Sequence, residues 1–368
     1  MFVFVRQQYY SPLWGAFRTY FFRPFSLFFR VFIQYSSASS VSMLDKQDAF
    51  SPNIASGTST PTCNCNTYSL RRQKQHGLET VGAGASGQVY KVDEDIVLKS
   101  SQVFEPPSAE TRAWDRFSYA NETLFHNNLT NDERTFIQLL QKHKSPHPNI
   151  IEAVETRYPE GIYFRKYKQL DDVEIPSQPG RIRWYLNIVA ALTHIHDLGI
   201  AHSDIRLNNI LFDSQGREAY LCDFSTCSPE GKKNMAYPYP DHDLPTHVVS
   251  DLASEKTDRF IMGSLIFQLE HGMKPTLIAD RHGSLIVPRI HTGNEILDSV
   301  IEKAWLGHYV STAQMLENIE SIGAHISAEM ESPESEDRST EALRQSIERW
   351  RGQRERLFGK HSLYFCSH

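Results

Sequence analysis

A glycine-rich turn has the residue spacing of an anion-binding loop. In Gly82-Ala-Gly84-Ala-Ser-Gly87-Gln-Val89, which we call the glycine turn, the missing side chains let an anion approach the backbone N–H groups closely. Dinucleotide-binding folds share this spacing, but in them a helix follows the glycines. Here Val89 and Tyr90 continue as an apolar strand, which favours a phosphate-binding turn between two strands.

A lysine follows this turn at a distance that suits phosphate binding. The apolar residues 96–98 predict a second strand that ends in Lys99. A lysine drawn into a cleft needs a carboxylate to fix its direction. Glu133 is the partner that we favour, on a predicted helix, and Glu122 and Asp132 are the alternatives.

Two acids and an amide follow in the middle of the chain. Asp204 can orient an attacking hydroxyl or accept its proton, and Asn209, five residues later, can bind Mg²⁺ through its amide oxygen. A further apolar strand ends in Asp223, which can chelate magnesium ions that bridge phosphates. The ordered set of groups therefore indicates a metal–phosphate centre.

Apolar periodicity predicts the elements that position these groups. Strands dominate up to about residue 167, apart from a helix over 131–143, and helices dominate afterwards. In the clearest helix, 181–198, apolar residues recur three and four positions apart before Gly199 ends it. The other predictions are strands within 81–99, at 150–154, at 162–167 and within 200–224, and helices at 258–271 and 294–322.

With these motifs in this order, the chain resembles the eukaryotic protein kinase family over residues 75–325. It also resembles the kinase-like proteins of filamentous fungi. The resemblance implies an α+β, protein kinase-like two-lobed fold, with a β-rich N-lobe over 75–168 and a helical C-lobe over 169–326. It further implies that ATP and two Mg²⁺ ions bind between the lobes and that the γ-phosphate passes to a protein hydroxyl.

The resemblance gives each motif position a role. Asp204 matches the catalytic aspartate, with Lys99 and Arg206 as further catalytic side chains, and Asn209 and Asp223 match the metal ligands. Asp258 and Gly263 match the helix that anchors the catalytic loop from below. The implied ATP-binding residues are Gly82, Gly84, Gly87, Val89, Lys99 and Glu133.

Several positions depart from the family pattern. Ser203 replaces the arginine that often precedes the catalytic aspartate, so we expect activity without a phosphorylated activation segment. Ser225 replaces the glycine of the D-F-G triplet, which is expected to reduce flexibility and to keep the metal ligand. The activation segment, 224–257, has no A-P-E triplet, which leaves substrate docking open. Arg165 replaces an acid of the hinge strand and is expected to change how the adenine edge is met.

Three functions are compatible with these residues. A serine/threonine kinase is favoured over a tyrosine kinase, although Arg206 stands two residues after Asp204, where serine/threonine kinases usually have lysine and some tyrosine kinases have arginine. A pseudokinase that binds ATP or acts as a scaffold is the first alternative, suggested by the altered D-F-G and A-P-E regions. A small-molecule phosphotransferase is the second, although such enzymes usually lack the glycine turn. An assay with Asp204→Asn as control separates the first two functions, and a screen of amino-sugars and amino-alcohols tests the third.

The two ends of the chain differ from its middle. Residues 1–74 are expected to form a disordered extension and linker, and 1–42 carry arginine, serine and aromatic residues without an acid. This pattern also fits a mitochondrial transit segment or a membrane-surface anchor. Residues 327–368 are expected to end in a charged helix with one apolar stripe, which consists of Leu343, Ile347, Trp350 and Leu357. This helix is expected to dock on the domain through Trp350, and a partner-binding helix is the alternative.

Composition restricts partners and location. The net charge of -6 and pI of about 6.2 give no reason to expect nucleic-acid binding. The five cysteines are sparse and odd in number, so free thiols in a reducing compartment are expected. We therefore expect a cytoplasmic protein whose partners are ATP and a protein substrate, with membrane contact through residues 1–42 as the alternative.

Overall fold

The computed structural model describes residues 69–359, with gaps at 76, 85, 143–145, 237–250, 283–284 and 324–337. The expectations for residues 1–68, for the acidic stretch that follows residue 327 and for the middle of the activation segment lie outside the described residues. Within the described part, no helix is long and apolar enough to cross a membrane.

The first lobe is built on a five-stranded antiparallel sheet with the strand order β1-β2-β3-β5-β4. Alternation along the central strand β3 buries Ile96, Leu98 and Ser100 on one face and turns Val97 and Lys99 to the other. Gly87 allows a close approach, because a Cβ there would lie 2.4 Å from the Ser100 carbonyl oxygen. The strands are β1 Thr80–Ala83, β2 Gln88–Lys91, β3 Ile96–Ser100, β4 Ala153–Glu155 and β5 Ile162–Arg165.

A 30-residue helix, α1 (Ala113–Lys142), packs beside this sheet. The predicted start at residue 131 is wrong, because no glycine or proline interrupts residues 113–130. Residues 113–130 contain many Asn and Thr residues and therefore lack the regular apolar spacing from which a helix is predicted. The buried positions recur three and four residues apart and include Leu129, Glu133, Phe136 and Leu140.

The second lobe is helical. In α2 (Gln178–Asp197), eight residues are buried, and the helix packs against the last helix of the lobe. The predicted 294–322 region divides into two helices, because Gly307 adopts a left-handed conformation with φ of 68°. The remaining helices of this lobe are α3 Glu255–His271, α4 Glu295–Leu306 and α5 Thr312–Gly323. The two lobes confirm the predicted α+β, kinase-like fold.

Short antiparallel strand pairs lie between these helices and border the loops of the site. They leave the segment 202–209 between two of the pairs. β6 (Ile200–Ala201) pairs with β9 (Ser228–Pro229), β7 (Ile210–Phe212) with β8 (Ala219–Leu221), and β10 (Ile278–Ala279) with β11 (Leu285–Ile286).

A C-terminal helix, α6 (Thr340–Phe358), packs on the sheet of the first lobe. Leu343 and Ile347 are buried in one cluster with Ile96 and Leu98, and Trp350 packs against its edge. Leu357 is 75% exposed, so its place in the predicted apolar stripe is wrong.

Candidate active site

A lysine whose side chain is only 12% exposed joins three elements of the site. Lys99 Nζ lies 2.7 Å from Glu133 Oε2 and 2.9 Å from Asp223 Oδ1, so β3, α1 and the end of β8 meet at one cation. Glu133 is therefore the carboxylate that contacts the lysine. Of the two alternatives, Glu122 faces His126 at 3.7 Å, and Asp132 is next to Glu133 in sequence but not among the carboxylates that contact Lys99.

The electrostatics of this triad favour the charged forms of Lys99 and Asp223. Burial opposes the charge of Lys99, but Asp223 and Glu133 raise its pKa above the usual range. Burial also acts against ionised Asp223, yet the Lys99 ammonium and the hydrogen bonds from Lys99 and Ser225 hold the pKa of this carboxyl well below its usual range. Burial raises the pKa of Glu133, and Lys99 opposes that rise. Asp223 therefore stays ionised at neutral pH and is available to bind a cation.

The loop 202–209 places an acid and an amide side by side. Asn209 Nδ2 donates to the carbonyl oxygen and to Oδ2 of Asp204, both at 2.8 Å. Arg206 Nη2 lies 3.2 Å from the same Oδ2. Because both amide hydrogens of Asn209 are directed at Asp204, its amide oxygen Oδ1 is the group left to face a cation.

Asp258 of α3 anchors this loop from below. Its carboxylate is fully buried and accepts hydrogen bonds from the backbone N–H of His202 at 2.6 Å and of Ser203 at 2.9 Å. Nε2 of His196 lies 2.9 Å from it. Ser203 has a φ of 71°, a conformation that costs energy for a residue other than glycine and that the anchoring hydrogen bonds maintain.

The triplet Asp223-Phe224-Ser225 links the two lobes. Asp223 has a φ of 61°, and its Oδ1 accepts a hydrogen bond from Ser225 Oγ at 2.7 Å. Phe224 is 1% exposed and stacks on Phe136 of α1 with ring centroids 5.2 Å apart. His202 contacts the other side of Phe224 at 5.4 Å. The position of α1 is thus coupled to the catalytic loop.

Our reading of the sequence missed Phe136 and Ser86 as parts of the site. Phe136 could have been found, because it lies three residues after Glu133 and therefore on the same face of α1. Ser86, between the second and third glycines, places its Oγ 3.4 Å from both oxygens of Asp223. A serine at a turn carries no signal for that contact, since the partner lies 137 residues further along the chain.

The other predicted nucleotide-binding residues form the tip and edges of the glycine turn. Gly84 N donates to the Gly87 carbonyl oxygen at 2.9 Å, and Gln102 Nε2 donates to the Gly84 carbonyl oxygen. Gly82 is paired with Val89 across β1 and β2, and Val89 is paired with Lys99 across β2 and β3. These strand pairings therefore place the glycine turn beside Lys99.

Arg165, on the hinge strand β5, contacts polar groups of other segments. Its Nε lies 2.7 Å from Glu152 Oε2, and its Nη2 donates to the Arg338 carbonyl oxygen at 2.9 Å. The guanidinium therefore connects β5 with the start of the C-terminal helix, a role that we did not predict.

The donor set suits a hard cation. Cys222 N donates to the Asn209 carbonyl oxygen at 3.0 Å, which places Asn209 next to the strand end that carries Asp223. One carboxylate and one amide oxygen are ligand types that Mg²⁺ accepts, and its other ligands are commonly water and phosphate oxygens. Within the described ranges, no cluster of three or more His, Cys, Asp or Glu side chains could hold a metal ion.

Comparisons with known proteins agree with this geometry. The model of the family described as "Protein kinase domain" matches residues 76–296. The serine/threonine-protein kinase PrkC of Bacillus subtilis is 25% identical over 212 residues, which are 54% of this chain and 30% of PrkC. Human serine/threonine-protein kinase Sgk2 is 26% identical over 152 residues, 37% of this chain and 41% of Sgk2.

A plant relative matches a shorter segment. A serine/threonine-protein kinase-like protein of Arabidopsis thaliana is 30% identical over 126 residues, which are 32% of this chain and 37% of that protein. The chain thus spans less than half the length of each of these three relatives. The family match is more extensive and covers more than half of the 368 residues, so the chain belongs to the protein kinase domain family.

Proposed function

We propose that this protein transfers the γ-phosphate of ATP to a serine or threonine hydroxyl of a protein substrate. The observation that carries the proposal is the ion-paired Lys99, held at 2.7 Å by Glu133 and at 2.9 Å by Asp223. An inert fold has no need to bury a cation between two acids, because desolvation of the charges is costly.

The chain's own residues have separate tasks in the transfer. Lys99 binds the α- and β-phosphates, and the backbone N–H groups of the glycine turn cover the phosphates from above. Asp204 orients the substrate hydroxyl and takes its proton as the oxygen–phosphorus bond forms and the bond to the ADP oxygen breaks. Arg206, 3.2 Å from Asp204 Oδ2, keeps that carboxylate in place.

Asn209 and Asp223 are the residues that would hold magnesium in this proposal. The ions, when bound, supply positive charge beside the phosphate oxygens. Asn209 also fixes the direction of Asp204 through its amide hydrogens, and Ser225 fixes that of Asp223.

Support for serine or threonine as acceptor comes from the relatives. PrkC and Sgk2 are both named serine/threonine-protein kinases. Phosphoamino-acid analysis of a labelled substrate tests this choice. Phosphotyrosine as the main product would contradict it.

The decisive assay compares the full chain with its Asp204→Asn variant. We expect the wild type to label generic basic and acidic protein substrates with γ-phosphate in the presence of Mg²⁺, and the variant to lose at least about 100-fold in rate. Equal signals from the two proteins would contradict an enzymatic function and favour the pseudokinase. Labelling of amino-sugars or amino-alcohols in place of proteins would favour the small-molecule phosphotransferase.

We also propose that activity does not require a phosphate on the activation segment. Ser203, where many kinases have an arginine, is 1% exposed and uncharged, so it has no charge with which to hold a phosphate. Phosphatase treatment of the purified protein should therefore leave its rate within about twofold. A large loss of activity after treatment would show that this expectation is wrong.

A further inference from the structure

The strand that carries Lys99 has two faces, and both are occupied. Lys99 points towards Glu133 and Asp223, whereas Ile96 and Leu98 are fully buried against the C-terminal helix α6. The neighbours of Ile96 and Leu98 in this cluster are Val154, Tyr163, Leu343 and Ile347. Because protein interiors are close-packed, a shift of α6 must move the strand and with it the lysine.

A buried ion pair fixes the carboxyl-terminal end of this strand. Arg351 Nε of α6 lies 2.6 Å from Glu160 Oε1, and the two side chains are 11% and 0% exposed. The Glu160 carbonyl oxygen accepts a hydrogen bond from Ser100 Oγ at 2.6 Å, and Ser100 directly follows Lys99. Tyr163 OH donates to the same carboxylate at 2.7 Å. Arg351 is thus connected to Lys99 through two contacts and one peptide bond.

A second ion pair fixes the amino-terminal end of the strand. Arg338, just before α6, lies 2.8 Å from Asp95 Oδ2 and 3.5 Å from Asp93 Oδ2, in the turn that leads into β3. Its carbonyl oxygen accepts the hydrogen bond from Arg165 at 2.9 Å. The C-terminal segment therefore contacts β3 at both ends and along its outer face.

We propose that α6 is a positioning element for the active site and that Arg351 is its principal positioning residue. The helix holds β3 so that Lys99 stays between Glu133 and Asp223. Loss of Arg351 removes the direct ion pair of the buried Glu160 carboxylate, which keeps only the more distant charge of Arg134, and this disturbs Ser100 and the adjacent lysine. The inference deepens the proposed function and rests on it wherever a rate is measured.

The test compares Arg351→Ala with Arg356→Ala in the full chain. Arg356 lies on the exposed side of the same helix, so its removal is a matched control for charge and helix propensity. For Arg351→Ala, we expect kcat to fall about tenfold and the KM for ATP to change less than threefold. The reason is that a displaced Lys99 loses more of its interaction with the transition state than with bound ATP. Arg351→Lys should recover part of the rate, since it restores the cation beside Glu160. Arg356→Ala should match the wild type.

A second variant guards against misfolding of the first. Arg338→Ala removes a side chain that is 37% exposed, so folding should survive, and kcat should fall about threefold. Normal kcat in both Arg351→Ala and Arg338→Ala, even with a lower melting temperature, would overturn the inference and leave α6 a purely stabilising element.

Hydrogen exchange separates this inference from the proposed function. Amides of Val97 to Ser100 should exchange faster in Arg351→Ala than in Arg356→Ala, whether or not the protein has activity. If the wild type and Asp204→Asn prove equally inactive, the proposed function fails, and the exchange rates alone decide whether α6 positions β3. Equal exchange in the two arginine variants would overturn the positioning role.

Discussion

Two buried carboxylates of the site, Asp258 in the C-lobe and Glu133 in the N-lobe, are held in different ways. Asp258 accepts backbone N–H groups of its own lobe at 2.6 and 2.9 Å. Glu133 contacts a side chain from a separate element, Lys99 of β3. The C-lobe half is therefore fixed when the loop folds. The N-lobe part of the site, the Lys99–Glu133 ion pair, forms only when α1 lies against β3.

The largest effect is expected from Asp258→Ala, which attacks the half fixed by the backbone. The change leaves two buried N–H groups without an acceptor and releases Ser203 from its strained conformation. We expect a loss of about 3 kcal/mol or more in the free energy of unfolding, together with loss of activity. Urea denaturation measures it. A loss below about 1 kcal/mol would contradict the anchoring role of Asp258.

Glu133→Gln tests the other half and should separate activity from stability. The variant removes the carboxylate that holds Lys99, so we expect kcat to fall roughly 10- to 100-fold. Stability should change little, because burial already raises the pKa of Glu133 and disfavours its charge. Glu122→Gln, on the same helix and 32% exposed, is the matched control and should keep its activity. Equal rates in the two variants would contradict the assignment of Glu133.

Asp132, the neighbour of Glu133 in α1, makes the stability of the folded state depend on pH. Burial raises the pKa of Asp132 from 3.8 to about 6, so its ionisation destabilises the folded state. The cost is absent below the unfolded pKa, grows between about pH 4 and 6 and stays constant above pH 6. Asp132→Asn should therefore gain up to about 3 kcal/mol at pH 8 and much less at pH 4. An equal gain at both pH values would show that the charge is not the cause.

The smallest effect is expected from changes at Ser225, which test how far side-chain contacts orient Asp223. Ser225→Ala removes the hydrogen bond of 2.7 Å to Asp223 Oδ1, worth about 1 kcal/mol, so the rate should fall about fivefold. Ser225→Gly should reduce the rate similarly, although it restores the residue usual in the family. An unchanged rate in both variants would mean that the contacts from Lys99 and Ser86 orient Asp223 without the Ser225 hydroxyl.

The residues of the site could be found from the sequence because they stand in short motifs at fixed spacing. The glycine turn, Lys99, Asp204, Asn209 and Asp223 needed no knowledge of distant contacts. Glu133 could only be favoured over Glu122 and Asp132, because choosing between neighbouring helix acids requires the direction of each side chain. The fold class was implied by the resemblance to protein kinases, and the predicted order of strands before helices agrees with it.

The remaining features depend on contacts between distant segments. The start of α1 was missed because residues 113–130 are helical without a strong apolar stripe, and exposed Trp114 and Phe117 blur the pattern further. The stripe of α6 could be predicted, but not the surface that it covers. Its partners Ile96 and Leu98 lie more than 200 residues earlier in the chain. The Arg351–Glu160 pair likewise has no local signal.

The most direct test of the account is the rate of γ-phosphate transfer by Lys99→Met in the full chain. The variant replaces the cation that joins β3, α1 and Asp223 with an apolar side chain of similar length. At a temperature where circular dichroism shows both proteins folded, we expect the rate to fall at least about 100-fold relative to the wild type. A folded variant that transfers phosphate at a rate near that of the wild type would contradict the central claim.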